Sequence, residues 1–389
     1  MKLLVLNNLA SGYGEGAIYD FVRSFAADGD EVCLRSTDGT TELESLITDA
    51  RDFDAVIASG GDGTVTTTAY SLAGTGIPVM PFPAGTANLL ALNLAAPNEP
   101  HALAKMLRTG ITLDFDMAEI EFHADDGEPV KKGFGIMAGA GYDAAIMKGA
   151  QPSKRLLGPM AYFSAALANP LPPTSKITLT LDGETVEEEG LGILIVNFSK
   201  IQFDISVTNK NSPRDGLLDI VVLKAENAFG LLPALFARAI DHEGNFKDSP
   251  ETIETFQARE VVVEADPPMQ IQYDGEVAKA TTPFAARILP SAARFVVSEE
   301  CVELFGAEGD AKLAPWTDRE AQATRGGGRI GSRRPTGRTL PSAGSMPCAP
   351  RSRGILFPRP YGRHHRLKER ARLAVLILYT FSTHASGLS

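Results

Sequence analysis

The run Ala55-Val56-Ile57-Ala58-Ser59-Gly60-Gly61-Asp62-Gly63-Thr64 constrains the fold more than any other part of the chain. A stretch with the character of a buried strand leads straight into GGDGT, and a helical pattern follows from about Val65 to Leu72. Glycines at such a junction let the backbone approach a ligand closely, and a helix N-terminus aims free N–H groups at an anion. At average residue usage the pentapeptide arises by chance in a chain this long with a probability on the order of 10⁻³. It reads as a phosphate-binding turn. Gly60, Gly61 and Gly63 supply backbone donors, and Thr64 adds a hydroxyl. Asp62 is itself an anion and cannot bind phosphate. It acts on a cation, or orients the loop by accepting backbone hydrogen bonds.

The surrounding residues alternate strand and helix. Strands are expected at Lys2–Leu6, Glu31–Arg35, Asp54–Ala58 and Ile77–Pro81, with helices at Ala17–Ala27, Thr41–Ala50, Val65–Leu72 and Ala87–Leu94. Strands separated by helices of this length make parallel βαβ units, whose ligands lie at the C-terminal ends of the strands. A second loop, Pro83-Ala84-Gly85-Thr86-Ala87-Asn88, occupies such an end beside the first. Thr86 can cap the next helix or donate to phosphate, and Asn88 offers an amide to ribose, base or phosphate. Together the two loops describe a nucleotide crevice.

From Ile111 onward the pattern turns to antiparallel strands: Ile111–Phe122, Lys176–Leu181, Leu191–Val196, Leu218–Leu223, Glu260–Glu264 and Arg294–Val297. Asp182-Gly183 reads as a hairpin turn, and helices are expected at Lys154–Ala168 and Ala228–Ile240. The chain is therefore expected to be α/β, with a parallel doubly wound domain at 1–115 and a mostly antiparallel β-sandwich domain at 116–305. Its 389 residues suffice for two cores. Residues 306–389, with Gly326-Gly327-Gly328 and no hydrophobic period, read as a disordered basic tail. From Arg319 on there are 14 Arg/Lys against 2 Glu, which leaves 23 basic against 46 acidic residues in 1–318. An acidic body argues against nucleic acid as the main partner.

Several chemistries are excluded. Cys33, Cys301 and Cys348 form no CxxC or Cys/His spacing, which argues against a disulfide framework or a zinc site. The P-loop pattern GxxxxGK[ST] is missing, and no stretch approaches the ~20 apolar residues of a membrane span. Three further segments stand out. Tyr273-Asp274-Gly275-Glu276 places a carboxylate on a turn, where it could take a proton from a hydroxyl nucleophile, or it is a simple hairpin turn. Arg214-Asp215-Gly216-Leu217-Leu218-Asp219 gathers the oxygen ligands that suit Mg²⁺, or is a solvated turn. Ala138-Gly139-Ala140-Gly141-Tyr142-Asp143-Ala144 reads as a small-residue turn.

Taken in order, these segments resemble the diacylglycerol kinase catalytic-domain family, which includes bacterial lipid kinases and sphingosine kinases. The similarity runs through Asn7–Gly12, GGDGT, the 83–88 loop, 138–144, Lys154–Tyr162, DGLLD at 215–219 and DGE at 274–276. It implies ATP bound by Thr37, Gly60, Gly61, Asp62, Gly63, Thr64, Val65, Thr66, Thr86 and Asn88. It implies Glu276 as proton acceptor for a lipid hydroxyl, and Mg²⁺ held by Asp219 and by the carbonyls of Arg214 and Leu217. A second Mg²⁺ would travel with ATP near Asp62. The chain departs from the family at Val65-Thr66-Thr67, where GGDGTxNE is usual, and at Leu89, where an acidic residue is usual.

The expected function is ATP-dependent phosphorylation of a diacylglycerol- or sphingoid-like lipid by a cytoplasmic enzyme that meets the inner face of the membrane peripherally. A homodimer is compatible with the resemblance. Leu156, Leu157, Met160, Tyr162 and Phe163 could contact the lipid or pack the core. The alternatives are a catalytically impaired nucleotide- or lipid-binding protein, which the missing Asn-Glu pair favours, and a soluble-substrate kinase of the NAD kinase type.

Overall fold

β1 (Lys2–Asn8), β2 (Glu31–Thr37), β3 (Ala55–Gly60) and β4 (Pro78–Pro83) form a parallel sheet in the order β2-β1-β3-β4. The computed structural model describes residues 1–11, 16–27, 29–141, 173–201, 205–206, 212–224, 253–307 and 309–317, all within one compact unit, Met1–Arg329. β3 is buried along its whole length, since both faces of an inner parallel strand are covered. The register aligns Asn8 with Thr37, Asn7 with Ser59, and Gly60 with Pro83, so polar residues of β1, β2 and β3 and the start of the second glycine loop after β4 meet at one end of the sheet.

α1 (Ala17–Phe25), α2 (Asp62–Ser71), α3 (Leu89–Asn93) and α4 (Pro100–Thr109) accompany these strands. The helix expected at Thr41–Ala50 is instead two 3₁₀ turns, Leu43–Leu46 and Ala50–Asp52. Arg35 explains the break. Its guanidinium takes the Leu46 carbonyl and pairs with both oxygens of Asp49, and the Ala50 N–H bonds to Ile47 O rather than closing an α-turn. α4 was not foreseen, although Pro100 at its start and Gly110 in the left-handed region at its end are ordinary helix punctuation.

The remaining strands are β5 (Ile111–His123), β6 (Pro129–Phe134), β7 (Met137–Gly141), β8 (Ser175–Leu181), β9 (Glu184–Gly190), β10 (Gly192–Val196), β11 (Lys200–Ile201), β12 (Ile205–Ser206), β13 (Leu218–Leu223), β14 (Ile253–Ala258), β15 (Glu260–Asp266), β16 (Gln270–Tyr273), β17 (Glu276–Thr281), β18 (Phe284–Val296) and β19 (Lys312–Leu313). α5 (Glu299–Phe305) precedes β19. The order β14-β13-β10-β7-β16-β17 makes one antiparallel sheet. β5, β6, β8, β9, β15, β18 and β19 make the other, which is continuous with the parallel sheet because β18 also pairs with β4. Ile177, Leu179, Ile193, Ile195, Ile220 and Ile271 fill the space between the layers. The fold is thus a parallel α/β half followed by an antiparallel β half.

Two further expectations change. Residues 138–141 belong to a central strand, not a turn. Small side chains there let β7 lie between β10 and β16, and a Cβ at Gly141 (φ +92°) would come within 2.5 Å of the Leu191 carbonyl. The segment read as tail from 306 begins with packed residues. Lys312 and Leu313 pair with β5, and Trp316 is buried and donates Nε1–H to Leu107 O. The expected helices at 154–168 and 228–240 and the suggested lipid contacts at 156–163 lie outside the described residues. Among those described, no helix is long and apolar enough to cross a membrane.

Candidate active site

α2 starts at Asp62, three residues earlier than expected, with Gly61 as its N-cap. Asp62, Gly63 and Thr64 therefore form the first helical turn, where backbone N–H groups have no partner four residues back. The loop around them is tied down on every side. Gly61 N–H donates to Ser11 Oγ, Asn8 Nδ2 donates to Thr64 Oγ1, and Ala84 N–H donates to Gly60 O. As an acceptor from Asn8, the Thr64 hydroxyl keeps its hydrogen for another partner. Asn8 and Ser11 were not singled out individually; their signal was the Asn7–Gly12 block.

The two glycine loops stack backbone on backbone. A Cβ at Gly85 would run into Gly61 Cα, and one at Gly60 would overlap the Thr64 side chain. Asp62 Oδ1 accepts from Leu90 N–H at 2.8 Å, so this carboxylate joins the two loops. Of the two roles open to Asp62 in the sequence, this oxygen performs the orienting one. Asn88 adopts the left-handed conformation (φ 51°) and exchanges two hydrogen bonds with Gly85, through Oδ1 and Nδ2. Its amide thus shapes the loop, and Asn88 rather than Thr86 is the N-cap of the short α3. Thr86 is exposed. Thr37, buried at the end of β2, accepts from Gly39 N–H and donates to Thr41 O. Val65 packs into the core, which leaves only its backbone for a ligand, and Leu89 packs against the same core. If the paired loops hold the nucleotide the sequence leads one to expect, Gly85→Ala should weaken it at least tenfold, because backbone atoms cannot yield to the added methyl; calorimetric titration with ATP checks this.

Opposite these loops lies the β16–β17 hairpin. Asp274 (φ 43°) and Gly275 (φ 82°) form its turn, pairing Tyr273 with Glu276. Glu276 is exposed, and its Oε1 lies 3.7 Å from where a Cβ on Gly63 would sit. The expected base and the expected phosphate turn, distant in sequence, are therefore neighbours. Asp274 was not singled out as a site residue, yet it is the most heavily bonded carboxylate here. Oδ2 accepts from Gly135 N–H (2.8 Å) and Thr66 Oγ1 (2.9 Å), and Oδ1 accepts from Ile136 N–H (2.8 Å) and Met137 N–H (3.1 Å). Burial pushes its pKa up to about 6 even though these four donors favour the anion.

The 214–219 segment forms a third cluster. Arg214 is held by Asp114 O, Phe305 O and Asp310, and Gln257 Nε2 donates to Asp219 Oδ1 at 2.8 Å. The buried Asp116 accepts from Gly216 N–H and Ser291 N–H. Burial raises its pKa, and burial followed by the charges of Asp219 and Asp116 raises that of Asp215. Oxygen donors and the carboxylates of Asp116, Asp215 and Asp219, only partly balanced by Arg214, suit a hard divalent cation. Among the described residues, however, no three His, Cys, Asp or Glu side chains converge as a metal-holding group. A cation at this segment would draw its ligands largely from main-chain carbonyls, in keeping with the ligand set that the family resemblance implies.

Comparison with known proteins bears on both halves. Residues 2–120 match the family model described as the diacylglycerol kinase catalytic domain, and residues 136–297 match the YegS C-terminal NAD kinase beta sandwich-like domain. A diacylglycerol kinase of Mycobacterium tuberculosis is 31% identical over 241 residues, which covers 59% of this chain and 72% of that relative. An uncharacterized protein of Synechocystis sp. is 31% identical over 247 residues, or 60% of this chain. The match spans only 53% of that relative's length. A crystal structure of a diacylglycerol kinase from Bacillus anthracis superposes with a TM-score of 0.56 at 20% identity, covering 77% of this chain and 98% of that one. That last likeness is one of fold.

Proposed function

Since the chain belongs to the diacylglycerol kinase catalytic-domain family, we propose that it transfers the γ-phosphate of ATP to a hydroxyl of a diacylglycerol- or sphingoid-like lipid. The observation that carries this reading is the Glu276 carboxylate facing the first turn of α2 at Gly63. Phosphoryl transfer depends on alignment and charge neutralisation, with a carboxylate to orient and deprotonate the attacking hydroxyl. In this reading the backbone at the start of α2, around Asp62 and Gly63, and the Thr64 hydroxyl cradle the phosphates. Thr37, Thr86 and the backbone of Val65 and Thr66 line the nucleotide, and Asn88 acts through the loop it shapes. Glu276 accepts the lipid hydroxyl's proton as the new P–O bond forms.

Magnesium would be held by the Asp219 carboxylate and the Arg214 and Leu217 carbonyls, with a second ion accompanying ATP near Asp62; bound there, it supplies positive charge. The enzyme would reach its substrate peripherally, at the cytoplasmic face of the membrane. A catalytically impaired protein is the second reading, favoured by the missing Asn-Glu pair. Against it stands Thr66, which occupies the position of the family asparagine and holds Asp274. Incubation with γ-labelled ATP, Mg²⁺ and a mixed lipid extract tests the proposal. A labelled lipid phosphomonoester is expected. Label on NAD alone, or ATP binding without any labelled lipid, overturns it.

A further inference from the structure

Glu276 is exposed, and among the described residues no side-chain hydrogen bond or ion pair holds its carboxylate against Gly63. Its position depends on the turn that carries it. That turn is anchored through Asp274, whose N–H donates to Met137 O while its carboxylate gathers the three N–H groups of residues 135–137. The fourth donor comes from the other half of the fold. Thr66 lies on α2 three residues after Gly63, hence on the same helical face as the phosphate turn. Its hydroxyl donates to the same oxygen, Oδ2, that Gly135 N–H approaches. The contact is tight: a Cβ on Gly135 would lie 2.8 Å from Thr66 Oγ1. Thr66 itself is buried.

One carboxylate thus bonds both the helix that presents the phosphate turn and the strand entry beneath the Glu276 hairpin. We propose that Thr66 and Asp274 are a positioning pair that sets the separation between the Glu276 carboxylate and the phosphate turn, so that base and transferred phosphate approach in register. The two side chains bond each other rather than ATP or lipid, and they act through the backbone on which Glu276 and Gly63 ride. It also accounts for Val65-Thr66-Thr67 functioning where the family carries asparagine, because a hydroxyl at position 66 supplies the donor that Asp274 needs.

This inference rests on the kinase reading, and Thr66→Val, Thr66→Ser and Asp274→Asn separate the two. Valine keeps the shape of threonine and removes the donor; serine keeps the donor. With saturating ATP and lipid, Thr66→Val is expected to lower kcat roughly tenfold or more, since small misplacements of reacting groups are costly. KM for ATP should stay within about twofold and the melting temperature within a few degrees of wild type. Thr66→Ser should restore kcat, and Asp274→Asn should lower it at least as far as Thr66→Val. A raised KM for ATP with unchanged kcat would make the Thr66 hydroxyl a nucleotide contact and overturn the pair. So would a fall in kcat that tracks lost stability and is not rescued by serine. Failure of the kinase reading shows differently, as an inactive wild type before any substitution is made, and removes the pair's role with it.

Discussion

Glu276→Gln is expected to reduce lipid phosphorylation by roughly 10²- to 10⁴-fold, the usual contribution of a positioned general base. The substitution keeps the side chain's size and removes its capacity to take a proton at neutral pH. Glu276 is exposed at the start of β17, and its main-chain pairing with Tyr273 does not involve the carboxylate. Stability should therefore be unchanged, and ATP affinity should change little because the phosphates are held from residues 60–64. The measurement is initial velocity at saturating ATP and lipid, alongside a thermal melt. Activity equal to wild type would remove Glu276 from the reaction and leave the hairpin as a structural neighbour of the phosphate turn.

The second large effect concerns Asp274 and pH. Its folded pKa of about 6 lies above the ordinary 3.8, because burial penalises the charge more than its four donors favour it. A carboxyl group with a raised folded pKa binds its proton more tightly in the folded state. It therefore adds stability as pH falls through 6, and the gain is complete once the pH is below the unfolded value. Between pH 7.5 and 4.5 that amounts to about 2 kcal/mol, since each tenfold difference in proton affinity is worth about 1.4 kcal/mol. Other carboxylates work in the opposite direction. Asp30, Asp114 and Glu119, where ionic and hydrogen-bonded partners outweigh burial, lose stabilisation as they protonate. The isolating measurement is the difference between wild type and Asp274→Asn in urea unfolding at the two pH values. Wild type should gain on the variant by about 2 kcal/mol on acidification. A gap that is constant or shrinks would mean that Asp274 is not a charged, enclosed group at neutral pH. Whichever way its amide turns, the variant sets an NH₂ against N–H or O–H donors that met an oxygen, so it probes the same network as the kinetic experiment.

Local chemistry made much of this molecule readable. Asp182-Gly183 forms its hairpin turn with positive φ at both residues, and the βαβ alternation places both glycine loops at one end of the sheet. Where reading failed, a remote partner had changed the outcome. Thr41–Ala50 has helical composition, but Arg35 from β2 claims a carbonyl in its middle. The small residues at 138–141 suggest a turn until β10 and β16 close on either side and make smallness a packing requirement. Ala314 and Trp316 follow an acidic, glycine-containing stretch, and they become core only because Lys312 and Leu313 pair with β5 and the Trp316 indole meets Leu107 O of α4.

By itself, the sequence determined the phosphate turn, the second loop against it, the change from parallel to antiparallel strands, and the presence of a carboxylate at 276. Each depends on residues adjacent in the chain, where glycine geometry, helix starts and strand periodicity act locally. Only the tertiary structure decided that Glu276 lies beside Gly63 and that Asp274 holds Thr66 across 208 residues of chain. It also decided that Asp62 braces the second loop through Leu90. Such contacts form because burying both halves brings distant donors and acceptors together, and a buried carboxylate must find partners wherever the packed fold supplies them.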